Sequence, residues 1–433
     1  MGIEAKRVLK RRGACSCTMT GVWRALNFVH GLVVIFHSPR ACAHLARRMD
    51  LSSYFYNLAD APEECGLEAV PLLSSDLEDE EAVFGGENRL RRAIRYAAEK
   101  YQPQGIVIAG SCVAGVIGDD VDGIAAEAEA ELGIPVLATP LHGYLDGEFF
   151  HGYIEGARLL VERFMEPRPA VPGTVLLLGD CGGTYGVYAQ EVRRLLAYFG
   201  LHVTAQLPSY IDLKQLKEAS SASVLIVLGR ILADERQQKL VALGQEISAR
   251  CGMPCLGDIY PVGCENTLAW LRRLGELLGK EEAAEAAIAA EQERFEAAVA
   301  EAAAELRGKK VVWCSGRAGQ LFKPGELVPL LQRLGMELLG IRLFDIYSAE
   351  ELDGIRAELA ALCDAPLLTE QEAEAKMREA DVVLTTHELL DPQLRQVFLP
   401  CVPSAGWTGE LAVMRAMRRI LKRRLSRGGL IYA

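Results

Sequence analysis

Three cysteines, Cys17, Cys42 and Cys112, carry the clearest chemistry in the chain. Cys17 opens CTMTGVWRAL, Cys42 closes LVVIFHSPRAC, and Cys112 lies in IVIAGSCVAGVIGDDV, where Gly118, Asp119 and Asp120 follow it. Small residues beside them (Gly21, Ala41, Ser111, Gly115) leave room for a bulky group against the backbone. Thiolates are soft ligands suited to iron–sulfur clusters, and three of them invite a fourth ligand from elsewhere. The plainer use of the same residues is packing, since a cysteine in a reducing compartment also serves as a small hydrophobe. Spacing alone does not decide between these uses. No pair has zinc-ribbon spacing, and neither Cys15 with Cys17 nor Cys251 with Cys255 is a specific motif.

The elements that must position these thiols are strands alternating with helices. The runs LVVIFHS, GIVIAGS, IPVLATP, TVLLLGD, SVLIVLG, KKVVWCS and DVVLTTH are short, rich in β-branched residues and bounded by Gly, Pro or Asp, as buried parallel strands are. EVRRLLAYFG and ELVPLLQRLG have apolar residues at helical spacing and a glycine at the stop. The pattern predicts an α/β fold of three Rossmann-like doubly wound domains with parallel sheets. A break at EPRPAVPG and a long Ala/Glu-rich helix over 281–310 place the domains at 1–168, with the three cysteines, at 169–305, and at 306–433, with a basic C-terminal helix.

A chain of 433 residues exceeds the size at which a single core stops growing, about 250–300 residues. The net charge of −11 argues against nucleic acid, because phosphate binding needs a basic field. The basic C-terminal helix RAMRRILKRRLSRGG is the local exception; it reads as a solvated face or subunit contact, or else an anion site. No apolar run reaches the ~18 residues a membrane helix needs, which predicts no membrane partner. The start MGIEAKRVLKRRGACSC lacks the pattern of a secretory signal, and a cytoplasmic location is expected. The Gly-bearing loops GDCGGTYGV and CSGRAGQL read as tight strand-to-helix turns or anion cradles, and no phosphate-binding P-loop pattern is present.

CTMTGVWRAL, HSPRAC, AVFGGENRLRRAI, SCVAGVIGDDV and TPLHGYLDGEFFHGY, in this order over the first 155 residues, resemble the nitrogenase component 1 family. Order and spacing are most similar to the β subunit of the molybdenum–iron protein and its scaffold relatives. PVGCENTLAWL at 261–271 is a weaker mark of the same likeness.

The resemblance implies that Cys17, Cys42 and Cys112 hold half of an iron–sulfur cluster shared across a subunit interface, a [4Fe-4S] or P-cluster-like group. It implies a second component 1 subunit, in a homo- or heterodimer or tetramer. It also implies that Phe84, with Gly85 and Gly86, marks the surface where an ATP-dependent iron protein docks; without it, Phe84 reads as a core residue stapling a helix start. Where the β subunit has a serine after the TP motif, Leu141 and His142 follow Pro140, so a serine-switched cluster is not implied. His142 is a candidate proton donor beside the cluster, or a hydrogen-bonded structural residue.

The cysteine and histidine that anchor the family's active cofactor have no clear counterpart. SVLIVLGR runs into Gly229 and Arg230, CVPSAGWTGE offers Trp407 without a histidine, His387 lies too early, and Cys255 and Cys264 are wrongly spaced. The expected function is that of a nitrogenase-like oxidoreductase subunit, receiving electrons from the iron protein and relaying them to a substrate or cofactor site. A scaffold for iron–sulfur cofactor assembly is the alternative, and a metal-free α/β small-molecule-binding protein the plainest.

Overall fold

A computed structural model describes residues 17–48, 68–208, 211–229, 235–316, 324–344, 347–399, 404–423 and 429–432. The basic start with Cys15, and parts of CSGRAGQL, of CVPSAGWTGE and of the C-terminal basic segment, lie outside these residues. All seven predicted strands form. The chain groups into two compact units, Met1–Gly186 with Gly200–Asp258, and Val187–Phe199 with Ile259–Ala433.

The first unit holds two four-stranded parallel sheets. One runs Leu72–Ser74, Leu32–His37, Gly105–Gly110, Val136–His142 across the sheet. Leu32–His37 and Gly105–Gly110 are buried at every position, which explains why they read as unbroken apolar runs. The helices Glu87–Tyr101 and Val121–Leu132 cover this sheet through Leu90, Ile94, Ile124 and Ala125. The other sheet runs Cys255–Leu256, Ala222–Val227, Val171–Leu178, His202–Leu207. A short parallel pairing of Val29–His30 with Ile211–Asp212 joins the two halves of the unit.

The second unit carries a five-stranded parallel sheet, in the order Glu337–Leu343, Lys310–Ser315, Val382–Thr385, Arg395–Phe398, Gly429–Tyr432. The Ala/Glu-rich segment forms the helix Glu281–Leu306, as expected. The basic helix is Thr408–Leu421, and two charges at its end are met within the chain: Arg418 pairs with Glu301 and Glu305, and Lys422 with Glu305. These pairs suit the solvated-face reading at Arg418 and Lys422.

In each of the three larger sheets the first strand in the chain sits between the second and the third. Connections therefore leave it in opposite directions, and a crevice opens at the carboxyl ends of the first and third strands, where such folds bind ligands. In the first sheet those strands are Leu32–His37 and Gly105–Gly110, paired from Leu32 with Gly105 to His37 with Gly110. Cys42 and Cys112 lie on the segments that leave them.

Candidate metal centre

Cys112 is the first residue of the short helix Cys112–Ile117, capped by Ser111, whose hydroxyl accepts from the Ala114 amide at 3.2 Å. Ser111 donates its own amide to the His37 carbonyl at 3.1 Å, tying the loops of the two strands together. Cys42 sits in a helical turn begun by Pro39, its amide donating to the Pro39 carbonyl at 3.1 Å.

Cys17 arrives from a separate element, as the cap of the helix Thr18–Leu26. That helix lies on the helix Phe149–Phe164 with its backbone in contact, through Gly21, Gly152 and Gly156. The segment is anchored at its start, where Thr18 donates its hydroxyl to the Gly143 carbonyl at 2.9 Å and Cys17 bridges Glu148. Gly143 has φ +55°, and a Cβ there would stand 2.8 Å from the Cys112 amide nitrogen. One turn thus presses against both the Cys17 and the Cys112 segments.

All three cysteines are half-buried and free. Burial pushes the Cys42 thiol up, the neighbouring Cys17 and Cys112 thiols push it further, and a hydrogen bond with the Ser38 side chain opposes them. The segments that carry the three cysteines therefore meet at the sheet's carboxyl edge. Among the described residues, no three His, Cys, Asp or Glu side chains converge closely enough to hold a single metal ion.

The remaining cysteines differ. Cys314 is fully buried against Met377 and pushed up to about 12 by desolvation, and Cys255 is pushed up to about 11 by burial and then by Asp258. Protonated thiols in apolar surroundings are packing residues. His387 is exposed, hydrogen-bonded to Thr386 and set edge-on to Phe344, and Trp407 is buried against Phe295.

His142 ends the strand Val136–His142, with its side chain 37% exposed and Nδ1 3.4 Å from the Asp146 carboxylate. A Cβ on Gly115 would meet the His142 Cβ at 2.7 Å, which puts this histidine against the Cys112 helix. Leu141 is buried.

Phe84 is not a core staple. It ends the single-turn helix Glu81–Phe84 and is 83% exposed, with Val83 and Val116 also exposed. The helices Glu81–Phe84 and Cys112–Ile117 touch, so the exposed apolar residues adjoin the thiol-bearing helix. Gly85 has φ +93°, a left-handed conformation that favours glycine. Arg89 braces the turn through Glu81 at 2.7 Å and Glu78 at 2.9 Å.

The sequence reading missed a buried polar cluster behind this turn, formed by His37, Asp119 and Ser75. His37 is fully buried, with Nε2 2.8 Å from Asp119 Oδ2 and Nδ1 2.9 Å from Ser75 Oγ. Burial holds its imidazole below the usual histidine range against the raising pull of Asp119. The available signal was His37 standing just ahead of the Cys42 turn and Asp119 just after the Cys112 helix.

Residues 17–420 match the family described as Nitrogenase component 1 type Oxidoreductase. The chain belongs to that family. It is 25% identical to the nitrogenase iron-molybdenum cofactor biosynthesis protein NifE of Rhodobacter capsulatus, over 96% of this chain and 86% of that protein. It is 24% identical to the nitrogenase molybdenum-iron protein alpha chain of Methanosarcina barkeri, over 77% of this chain and 60% of that one. Among solved structures, nitrogenase Cp1 at pH 5 shares the fold with a TM-score of 0.59 at 16% identity, covering 94% of this chain and 88% of that one. Among the described residues, no helix is long and apolar enough to cross a membrane.

Proposed function

We propose that this component 1 family chain is one subunit of a nitrogenase-like reductase, holding half of an interface iron–sulfur cluster through Cys17, Cys42 and Cys112. The observation that supports the reading is the meeting of the three cysteine-bearing segments at the carboxyl edge of the first sheet, the Gly143 turn lying against the Cys17 and Cys112 segments and the Ser111 amide bonding the His37 carbonyl ahead of Cys42. Three soft thiolate donors from segments that meet at one edge suit an iron–sulfur cluster. Three ligands leave a four-iron cluster incomplete, so a second copy or a related subunit supplies the rest, in a two-fold or pseudo-two-fold assembly. The cluster would supply one-electron transfer.

This chain's own residues bind and place. The Gly143 turn fixes the Cys17 and Cys112 segments against each other, and the exposed Val83, Phe84 and Val116 offer an apolar surface to an ATP-dependent iron protein. His142 would hold or pass a proton near the thiols, a role supported by its packing against the Cys112 helix and its contact with Asp146.

A second reading, an assembly scaffold holding a cofactor precursor as cargo, is favoured by the likeness to NifE across nearly the whole chain. Anaerobic purification followed by iron and sulfide analysis, with electron paramagnetic resonance after dithionite, tests the centre. About two irons per chain fit one shared four-iron cluster, and about four fit an eight-iron one. Iron beyond that, released to an apo-acceptor, fits the scaffold. Cys42→Ala is expected to lose most of the iron, and colourless wild-type protein without iron would refute the cluster assignment.

A further inference from the structure

The second sheet also sends its connections away from its first strand in opposite directions, yet side chains of the same chain fill its carboxyl edge. The two strands concerned are Val171–Leu178 and Ala222–Val227. Their pairing runs on past Val227, where the Leu228 amide donates to the Leu178 carbonyl at 2.7 Å. Gly179, at φ +121°, is closed in by two buried leucines: a Cβ there would lie 3.2 Å from Leu228 Cβ and 3.1 Å from Leu240 Cδ2. Gln206 ties down the same turn, donating its side-chain amide to the Gly179 carbonyl at 2.8 Å and to the Asp180 carbonyl at 3.1 Å.

Gly229 is the last described residue of SVLIVLGR, the segment where the family's active cofactor would find its cysteine. The space beside it is taken by Gln237, whose amide nitrogen, carbon and oxygen would stand 2.4, 2.5 and 2.7 Å from a Cβ at 229. Gln237 donates to the Leu228 carbonyl at 3.0 Å, so moving it aside strips a buried carbonyl of that partner.

Within the second unit, the segment that would supply the histidine is closed as well. Ala405 is buried, and Trp407 is turned into the core, its ring centroid 4.7 Å from that of Phe295. Gly406, at φ +63°, is pressed onto Glu191: a Cβ would fall 2.5 Å from Oε1 and 3.0 Å from Cγ. Glu191 is 5% exposed and held by Arg194 at 2.7 and 2.8 Å, and Arg194 also binds the fully buried Glu291. Displacing Glu191 would break a buried ion pair.

An iron–sulfur cofactor needs soft ligands and room for its metals and sulfides, and neither position offers them. We propose that this chain carries no second metallocofactor, so that the interface cluster is its only metal centre. This deepens the reading above and rests on it: it favours the reductase subunit over the scaffold, whose cargo needs an anchor on the chain.

The experiment takes the full chain, purified anaerobically, through two separate treatments, ferrous iron with sulfide and isolated iron-molybdenum cofactor. Gel filtration, metal analysis and amide exchange read by mass spectrometry follow each. Iron from the first treatment is expected at the level of one shared cluster, about two or about four per chain, falling to background in the Cys17→Ala, Cys42→Ala, Cys112→Ala triple variant. The wild-type chain should retain no molybdenum from the second, with exchange at Leu228, Gly229, Gly406 and Trp407 unchanged by either treatment. These wild-type readouts stand whether or not the triple variant folds. Stoichiometric molybdenum on the wild-type chain, iron at the wild-type level in the triple variant, or new protection at Gly229 or Gly406 would overturn the proposal. A folded wild-type chain that takes up neither metal refutes the interface cluster and agrees with the closed positions.

Discussion

Gly152→Ala tests whether the placement of Cys17 depends on bare backbone contact. A Cβ at 152 would stand 1.9 Å from the Thr18 carbonyl oxygen and 2.6 Å from its carbon. The reciprocal position is equally closed, since a Cβ at Gly21 would lie 1.8 Å from the Phe149 carbonyl oxygen. Real Cβ contacts stop near 3.0 Å, and the obstacle is backbone, so the two helices must part by about 1 Å. Such a gap forfeits a quarter to a half of the dispersion attraction across the crossing, where Met19, Val22, Trp23 and Leu26 are buried on one helix and Tyr153, Ala157 and Leu160 on the other.

Overpacking typically costs about 1–3 kcal/mol, and a clash with backbone belongs above that range, at about 4 kcal/mol. For a unit of this size the expected fall in Tm is about 10 °C. Gly354→Ala is the control. Gly354 lies in the helix Ala349–Ala360, a Cβ there meets nothing within 4 Å, and the gain in helix propensity is about 1 kcal/mol. Scanning calorimetry reads both variants, and iron analysis shows whether the unit that survives Gly152→Ala still holds its metal. A loss below about 1 kcal/mol, or a destabilised protein with full iron, would refute the argument that this crossing sets Cys17.

Phe84→Asp, at a site 83% exposed, should leave stability within about 0.5 kcal/mol while abolishing reduction by an iron protein and sparing reduction by dithionite; loss of both would mean the turn is structural. Glu410, pushed up to about 7 chiefly by burial and also by Glu326, keeps a proton in the fold that the unfolded chain releases near 4.5. Stability then falls as pH rises from about 4.5 to 7, by at most about 3 kcal/mol, so Glu410→Gln should stabilise at pH 8 and hardly at pH 5, and equal effects at both would sink the reasoning. Arg194 bonds Glu191 and the fully buried Glu291, each at 2.7 Å, so Arg194→Met should cost about 3 kcal/mol in urea denaturation, Arg294 nearby compensating in part; a change under 1 kcal/mol would show the carboxylates find other partners.

What the sequence could disclose of this protein follows from how far apart the interacting residues lie. Leu32–His37 and Gly105–Gly110 are buried on both faces, and continuous apolar runs announce such strands, whereas Arg395–Phe398 shows only two buried positions in four residues and gives no comparable signal. Once two strands are known to be parallel neighbours, the segments leaving them share an edge, so Cys42 and Cys112 are together by topology alone. Cys17 is not. Its place depends on Thr18 bonding Gly143, 125 residues away, and on Gly21 in TMTGVWRAL, which reads as room for a bulky group until the backbone of the second helix is seen against it. Distance hides the polar cluster in the same way, since His37 and Asp119 lie 82 residues apart and each alone looks like loop chemistry. Burial is the second obstacle. Phe84 and Trp407 are both large aromatics beside glycines, yet one is 83% and the other 1% exposed, and only the packing around the short helix Glu81–Phe84 separates an exposed aromatic from a core one. Hydrophobic periodicity, which would have decided between them, needs more turns than a four-residue helix contains.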